Sequence, residues 1–160
     1  DVDEVFTVAN AKLCESNEAG MFVTAWMGML DITTGRVEFA NAGHNPPLVR
    51  HADGSFEFLK SKPGFILAGM EGMKYRKNEL VLSAGDEIYL YTDGVTEATN
   101  AKNELYGEKR LVKLLDSLHG LTSEGICRAV KADIDAFVGD APQFDDITML
   151  YLKYNGGSEK

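Results

Sequence analysis

Sixteen lysines and arginines stand against 25 aspartates and glutamates, giving a formal charge of -9. A surface short of positive charge repels phosphate backbones, which argues against nucleic acid as a partner and against anionic membranes. It does not argue against phosphorylated ligands, because a cation held by carboxylates reverses the sign locally. Only two cysteines occur, Cys14 and Cys127, with no CxxC spacing. That excludes a disulfide-stapled scaffold and a cysteine zinc site, and leaves both as reduced helix residues. Long apolar runs are also missing. The longest, Met21 to Leu30, is broken by Thr24 and Gly28 and falls far short of the ~20 residues a spanning helix needs. No basic start followed by an apolar run suggests a signal peptide, so no membrane insertion and a cytoplasmic location are expected. No initiator methionine is present and Asp1 opens directly into a helical pattern, as expected of a piece cut from a longer chain. Proline is scarce, at 4 residues, and hydrophobic residues make up 44% of 160. Collagen-like and disordered chains are thereby excluded and one domain with a real core is expected.

Val2, Val5, Phe6, Ala9 and Leu13 recur at helical period, ending in the loop chemistry of Glu15 to Gly20, which includes Ser16. Phe22 to Leu30 reads as a strand buried on both faces. Asp31 to Gly35 reads as a turn into the alternating run Arg36 to Ala42, a hairpin. Leu48 to Arg50, the turn Ala52-Asp53-Gly54 and Phe56 to Phe58 make a second hairpin. A loop around Pro63 and Gly64 leads to a strand from Tyr75 to Leu82, and Glu87 to Thr92 is the most apolar strand. Leu111, Leu114, Leu115 and Leu118 form a helical stripe with Gly120 as its C-terminal cap. Thr122 or Ser123 caps a second helix along Ile126, Val130, Ile134 and Phe137. Ile147 to Tyr154 is a last strand and residues 155–160 are a polar tail. Hairpin-joined strands with segregated helices indicate an α+β fold with antiparallel pairing.

Asp93 follows one strand, and Asp145 and Asp146 precede the last. If those strands are antiparallel neighbours, the carboxylates meet at one sheet edge. Hard oxygen ligands gathered there suit Mg²⁺ or Mn²⁺, which orient phosphate and supply hydroxide at neutral pH. Each feature also has a plainer reading: Asp93-Gly94 as a turn, Asp145-Asp146 as a solvated loop end, Asn41 to Pro47 as a proline-stiffened turn with His44 on the surface.

Phe22-Val23-Thr24-Ala25 through Leu30-Asp31, Val37-Glu38-Phe39-Ala40-Asn41-Ala42-Gly43-His44-Asn45-Pro46-Pro47, Gly85-Asp86 to Tyr91-Thr92-Asp93-Gly94-Val95-Thr96-Glu97-Ala98, and Asp145-Asp146-Ile147-Thr148 occur in an order that resembles the metal-dependent PPM-type protein phosphatases. These form the protein phosphatase 2C superfamily, and the resemblance is to the bacterial branch related to the sporulation phosphatase SpoIIE and the stress-response phosphatase RsbU. It implies a two-layer antiparallel β-sandwich flanked by helices. It implies hydrolysis of phosphoserine or phosphothreonine through water bridging two Mn²⁺ or Mg²⁺ ions. The implied substrate is a phosphorylated anti-anti-sigma factor of STAS fold, with a sensor domain upstream.

By the same resemblance Asp93 and Asp145 are metal-binding and catalytic, with Asp146 as the neighbouring alternative. Gly94, Asn41, Gly43 and His44 are loop residues that support them. The family's earlier Gly-Asp-x-x-Asp and Asp-x-Ser-Gly-x-Gly motifs do not occur, and Asp1-Val2-Asp3 matches neither. Residues 1–154 are therefore expected to be the C-terminal two-thirds or so of such a domain, with its N-terminal strands missing. By itself this piece is expected to hold at most one ion weakly, to be nearly inactive, and to form a homodimer by strand addition at uncovered edges or by packing an uncovered sheet face against a second copy. The rival expectations are a phosphatase-fold module that binds a regulator without turnover, and a metal-dependent nuclease, which the acidic charge disfavours.

Overall fold

In the computed structural model, residues 1–15, 17–52, 54–62, 64–143 and 145–157 are described. Ser16, Asp53, Pro63, Phe144 and the end of the polar tail, which figured in the loop, turn and motif expectations, lie outside the described residues. Among the described residues four helices and seven strands follow one another: α1 (Val2–Cys14), β1 (Ala25–Leu30), β2 (Arg36–Ala42), β3 (Leu48–Arg50), β4 (Glu57–Phe58), β5 (Asn78–Val81), β6 (Glu87–Tyr91), α2 (Asp93–Thr96), α3 (Glu108–Ser117), α4 (Ser123–Val138) and β7 (Met149–Lys153). All strand pairs are antiparallel, as the hairpin spacing requires of an α+β chain. The chain gathers into two units, each with one sheet. Among the described residues no helix is long and apolar enough to cross a membrane.

The first unit comprises residues 1–46, 60–84 and the segment starting at Tyr154. Its sheet has the order β1-β2-β5. Gly35 turns the β1–β2 hairpin at φ 75°, in the left-handed region that favours glycine. Its N–H bonds Asp31 O, and Asp31 Oδ1 accepts the Thr33 N–H at 2.8 Å. β1 corrects the expectation of a strand buried on both faces. It lies at the sheet edge, paired in this sheet with β2 alone, and Phe22, Val23, Met27 and Met29 are exposed. An apolar strand lies exposed at this edge, and beside it the Trp26 ring, stacked on Phe39, occupies the space that a Cβ on Gly28 would take.

Helix α1 departs from its apolar stripe as well. It buries Val2, Phe6 and Asn10, while Val5 and Leu13 are exposed. The reason is polar. Asn10 Oδ1 accepts from Ala68 N at 2.9 Å and from the Tyr75 hydroxyl at 3.2 Å, and Asn10 Nδ2 donates to Met70 O at 2.9 Å. A buried amide with all these partners satisfied fixes the 66–70 loop, including Ala68 in a left-handed conformation at φ 62°. Phe6 packs edge-on against Tyr75 beside it.

The second unit comprises residues 47–59 and 85–153. Its sheet order is β4-β3-β6-β7. Leu48, Tyr89 and Tyr91 of the sheet bury against Leu111 and Leu115 of α3 and Ile126, Val130 and Ile134 of α4, so the helical stripes read from the sequence face this core. Thr122 caps α4, its hydroxyl accepting from Gly125 N at 3.1 Å. Gly120 does not cap α3. That helix ends at Leu118 in extended conformation, and the buried Arg50 supplies the cap, its guanidinium reaching Leu115 O and Leu118 O at 3.5 and 3.4 Å. A cation at a helix C-terminus meets the negative end of the dipole. Arg50 lies opposite Glu87 across β3 and β6, and Glu87 lies opposite Lys153 across β6 and β7, so the carboxylate sits between two cations.

Candidate functional site

β6 and β7 run side by side as far as Tyr91, which faces Met149. Thr92 extends the pairing: its N–H bonds Thr148 O at 3.0 Å, and its hydroxyl accepts the Thr148 N–H and donates to Asp146 O, both at 3.0 Å. One side chain thus fastens the end of β6 to the approach of β7. Asp93 then starts the short helix α2, whose backbone closes through Glu97 N to Asp93 O.

Gly94 follows, and a Cβ there would overlap the Asp146 carbonyl. Glycine is required at this point for close approach of two backbones, since its φ is not left-handed. The plain turn expected for Asp93-Gly94 is in fact a helix start. Asp93 Oδ1 accepts the Gly94 N–H at 3.0 Å, and Asp145 Oδ1 accepts the Asp146 N–H at 2.7 Å. Asp93, Asp145 and Asp146 are all exposed, and Asp145 and Gly94 line one cavity. The topology therefore places the three carboxylate residues at one end of the β6–β7 pair.

Gly94→Ala is expected to force these strand ends apart. Overpacking of this kind costs about 1–3 kcal/mol, and a carboxylate shift of about 1 Å costs roughly 100-fold in turnover. Urea melts beside steady-state kinetics of Gly94→Ala measure both; unaltered kinetics would show that the close approach is not needed.

Asn41, Gly43 and His44 belong to the first unit. The buried Asn41 organises its own loop: Nδ2 donates to His44 O at 2.9 Å and Oδ1 accepts from His44 N at 2.8 Å. Gly43 sits at φ 71° with the Ile66 side chain against it. His44 Nδ1 lies 3.1 Å from the Thr24 hydroxyl. Sequence reasoning gave no role to Thr92. Its signals are a place beside Asp93-Gly94 in the motif that carries the resemblance and a hydroxyl at the last position of an apolar strand, where it can replace a backbone partner.

The donor set suits a hard cation in part. Mg²⁺ and Mn²⁺ prefer carboxylate oxygens, and Mg²⁺ is commonly held by one or two of them with water completing the shell. Asp93 with Asp145 or Asp146 supplies that number. Among the described residues no group of three or more His, Cys, Asp or Glu side chains is placed to hold a metal ion, so the fit is to a hydrated ion rather than to an all-protein cage.

The sequence matches the family Stage II sporulation protein E (SpoIIE) over residues 1–155. It is 31% identical over 141 residues to protein IcfG of Synechocystis sp., covering 88% of this chain and 22% of that protein. It is 28% identical over 150 residues to the phosphoserine phosphatase RsbU of Bacillus subtilis, covering 89% of this chain and 42% of RsbU. The chain thus spans less than half the length of these curated relatives. The fold is similar to the PP2C phosphatase domain of SpoIIE from Bacillus subtilis, solved with a fragment of its regulatory domain, at TM-score 0.79, 14% identity, and 96% and 44% coverage of the two chains. It is also similar to the catalytic domain of the serine/threonine protein phosphatase PstP in complex with two manganese ions, at TM-score 0.63, 14% identity, and 94% and 70% coverage. The antiparallel α+β architecture is that of PP2C domains, and a sequence match across both units leads to one assignment: the chain belongs to the SpoIIE family.

Proposed function

We propose that the protein hydrolyses phosphoserine or phosphothreonine on a regulatory protein, a phosphorylated anti-anti-sigma factor of STAS fold, with Mn²⁺ or Mg²⁺ as cofactor. The observation that carries the reading is the Thr92 clamp, which draws the start of α2 and the approach to β7 together in a chain of this family. Asp93 and Asp145 are the residues assigned to hold the ion, with Asp146 next in line. When bound, a divalent ion polarises phosphoryl oxygens and lowers the pKa of its water towards neutrality. Thr92 fixes Asp146, Gly94 permits the close approach, and the Asn41–His44 loop is assigned a supporting role. An upstream sensor domain, a cytoplasmic location and a homodimer complete the proposal; the exposed edge strand β1, with Met27 and Met29, supports the last.

Residues 1–154, as one portion of a phosphatase domain, supply carboxylates for one ion rather than two. By themselves they should bind it weakly and turn over little. The test is phosphate release by the intact protein from a phosphoserine-bearing STAS domain, with a phosphotyrosine peptide as control. Release from phosphoserine that stops with EDTA and returns with Mn²⁺ is expected. Release indifferent to EDTA, or confined to phosphotyrosine, would refute the proposal.

A further inference from the structure

A cavity of about 270 Å³ opens beside Asp145 in the second unit. The residues lining it include apolar Ile134, Val138 and Ile147 and acidic Glu97, Asp135 and Asp145, and none of the described residues lining it is basic. The C-terminus of α4 forms part of the same wall: its last turn carries no basic residue, and its cap, Gly139, lines the cavity. The terminal carbonyls of a 16-residue helix therefore add the negative end of a dipole to the carboxylates. Lys131, one turn back, pairs with Asp135 at 2.5 Å and offsets that charge, and Asp145 is assigned to the ion, so Glu97 and the helix carbonyls supply the uncompensated negative charge.

This combination selects its occupant. At about 270 Å³ the space lies at the small end of ligand pockets and has room for one extended side chain. Apolar walls accommodate an aliphatic stem while carboxylates and helix carbonyls take a cationic head, as lysine and arginine require. We propose that the cavity receives a lysine or arginine side chain that flanks the phosphorylated residue of the protein substrate. The inference rests on the phosphatase reading for the source of that side chain, because Gly94 and Asp145 border both the cavity and the assigned ion site. It makes Glu97 and Asp135 specificity determinants without a part in the chemistry.

The experiment uses four fluorescent peptides, phosphorylated or not on one serine and with arginine or alanine nearby, the arginine being moved through neighbouring positions on both sides. Binding to the 160-residue chain in the presence of Mn²⁺ is read by anisotropy. Arginine at one preferred position is expected to tighten binding about threefold, with or without phosphate, the scale of an ion pair between exposed groups, since Glu97, Asp135 and Asp145 are all exposed. Glu97→Gln should erase the increment, and Asp135→Asn should reduce it. If no position gains from arginine, or if the gain survives both substitutions, the cavity does not read a basic side chain. Because the chain by itself is expected to hold its ion weakly, the phosphorylated and unphosphorylated peptides are also compared on the intact protein. There, phosphorylation without effect alongside an intact arginine increment would count against the phosphatase reading and for the cavity. The reverse pattern would remove the cavity proposal alone.

Discussion

Asp93→Asn is expected to lower Mn²⁺-dependent phosphatase turnover of the intact protein by at least ~100-fold, about 2.7 kcal/mol of barrier. Substitutions one shell outside a metal typically cost 10–100-fold, and a direct ligand should exceed them. The substitution removes a charge and little else. Asparagine keeps the volume and a carbonyl oxygen in place of the Oδ1 that accepts the Gly94 N–H, so the start of α2 should persist. Asp93 is exposed and shares its sheet end with Asp145 and Asp146, so one fewer like charge leaves the melting temperature unchanged or raised in metal-free buffer. Kinetics and differential scanning calorimetry on the same preparation separate the two effects. Full activity would remove Asp93 from the site, and a large fall in melting temperature would make its role structural.

The largest effect on stability is expected at Glu87, far in character from the carboxylates of the site. Glu87→Leu should cost about 3–5 kcal/mol, because deleting one partner of a buried ion pair strands the other. Arg50 and Glu87 side chains are only 9% and 7% exposed, and Arg50 Nε donates to Glu87 Oε2 at 2.6 Å. Such a loss is a large share of the ~5–15 kcal/mol that holds a domain together. Replacing both, Arg50→Met with Glu87→Leu, should recover much of it, less what the α3 carbonyls lose when their cap goes.

A pH dependence accompanies the pair. Burial pushes the Glu87 carboxyl upward, but hydrogen bonds from Tyr151, Arg50 and Lys153 outweigh it and hold it below the usual carboxylate range. A carboxylate held low stabilises the fold at all pH values above its unfolded pKa, and that stability is lost as pH falls through the folded value. Acid should thus lower the wild-type melting temperature more than that of Glu87→Leu. Parallel acid slopes for the two proteins would contradict the electrostatic account.

The hairpins and the two helices of the second unit were legible because their signals are local: turn residues between alternating runs, and apolar side chains three or four apart. What escaped depended on partners distant in sequence. Asn10 occupies a core position that no hydrophobic pattern marks, because its three partners come from residues 68–75. β1 is apolar yet exposed, since composition does not reveal a sheet edge. Gly120 resembled a helix cap, but Arg50, 65 residues before Leu115, does that work.

At the candidate site, the resemblance singled out Asp93, Gly94, Asp145 and Asp146, and strand order alone suggested their meeting. Thr92 and Glu97 stood inside the motif that carries the resemblance but were given no role, and Asp135 was silent, because a hydroxyl clamp and a concave surface have no sequence period. Asn41 and His44 read as a proline-stiffened turn or as a supporting loop, and their hydrogen bonds to each other show how that loop is held.

Calorimetric titration of Mn²⁺ into the 160-residue chain, repeated with Asp93→Asn and with Asp145→Asn, tests the assignment of the carboxylate edge most directly. The account predicts one weak site in the unaltered chain, abolished by either substitution. Binding unchanged in both variants would contradict it.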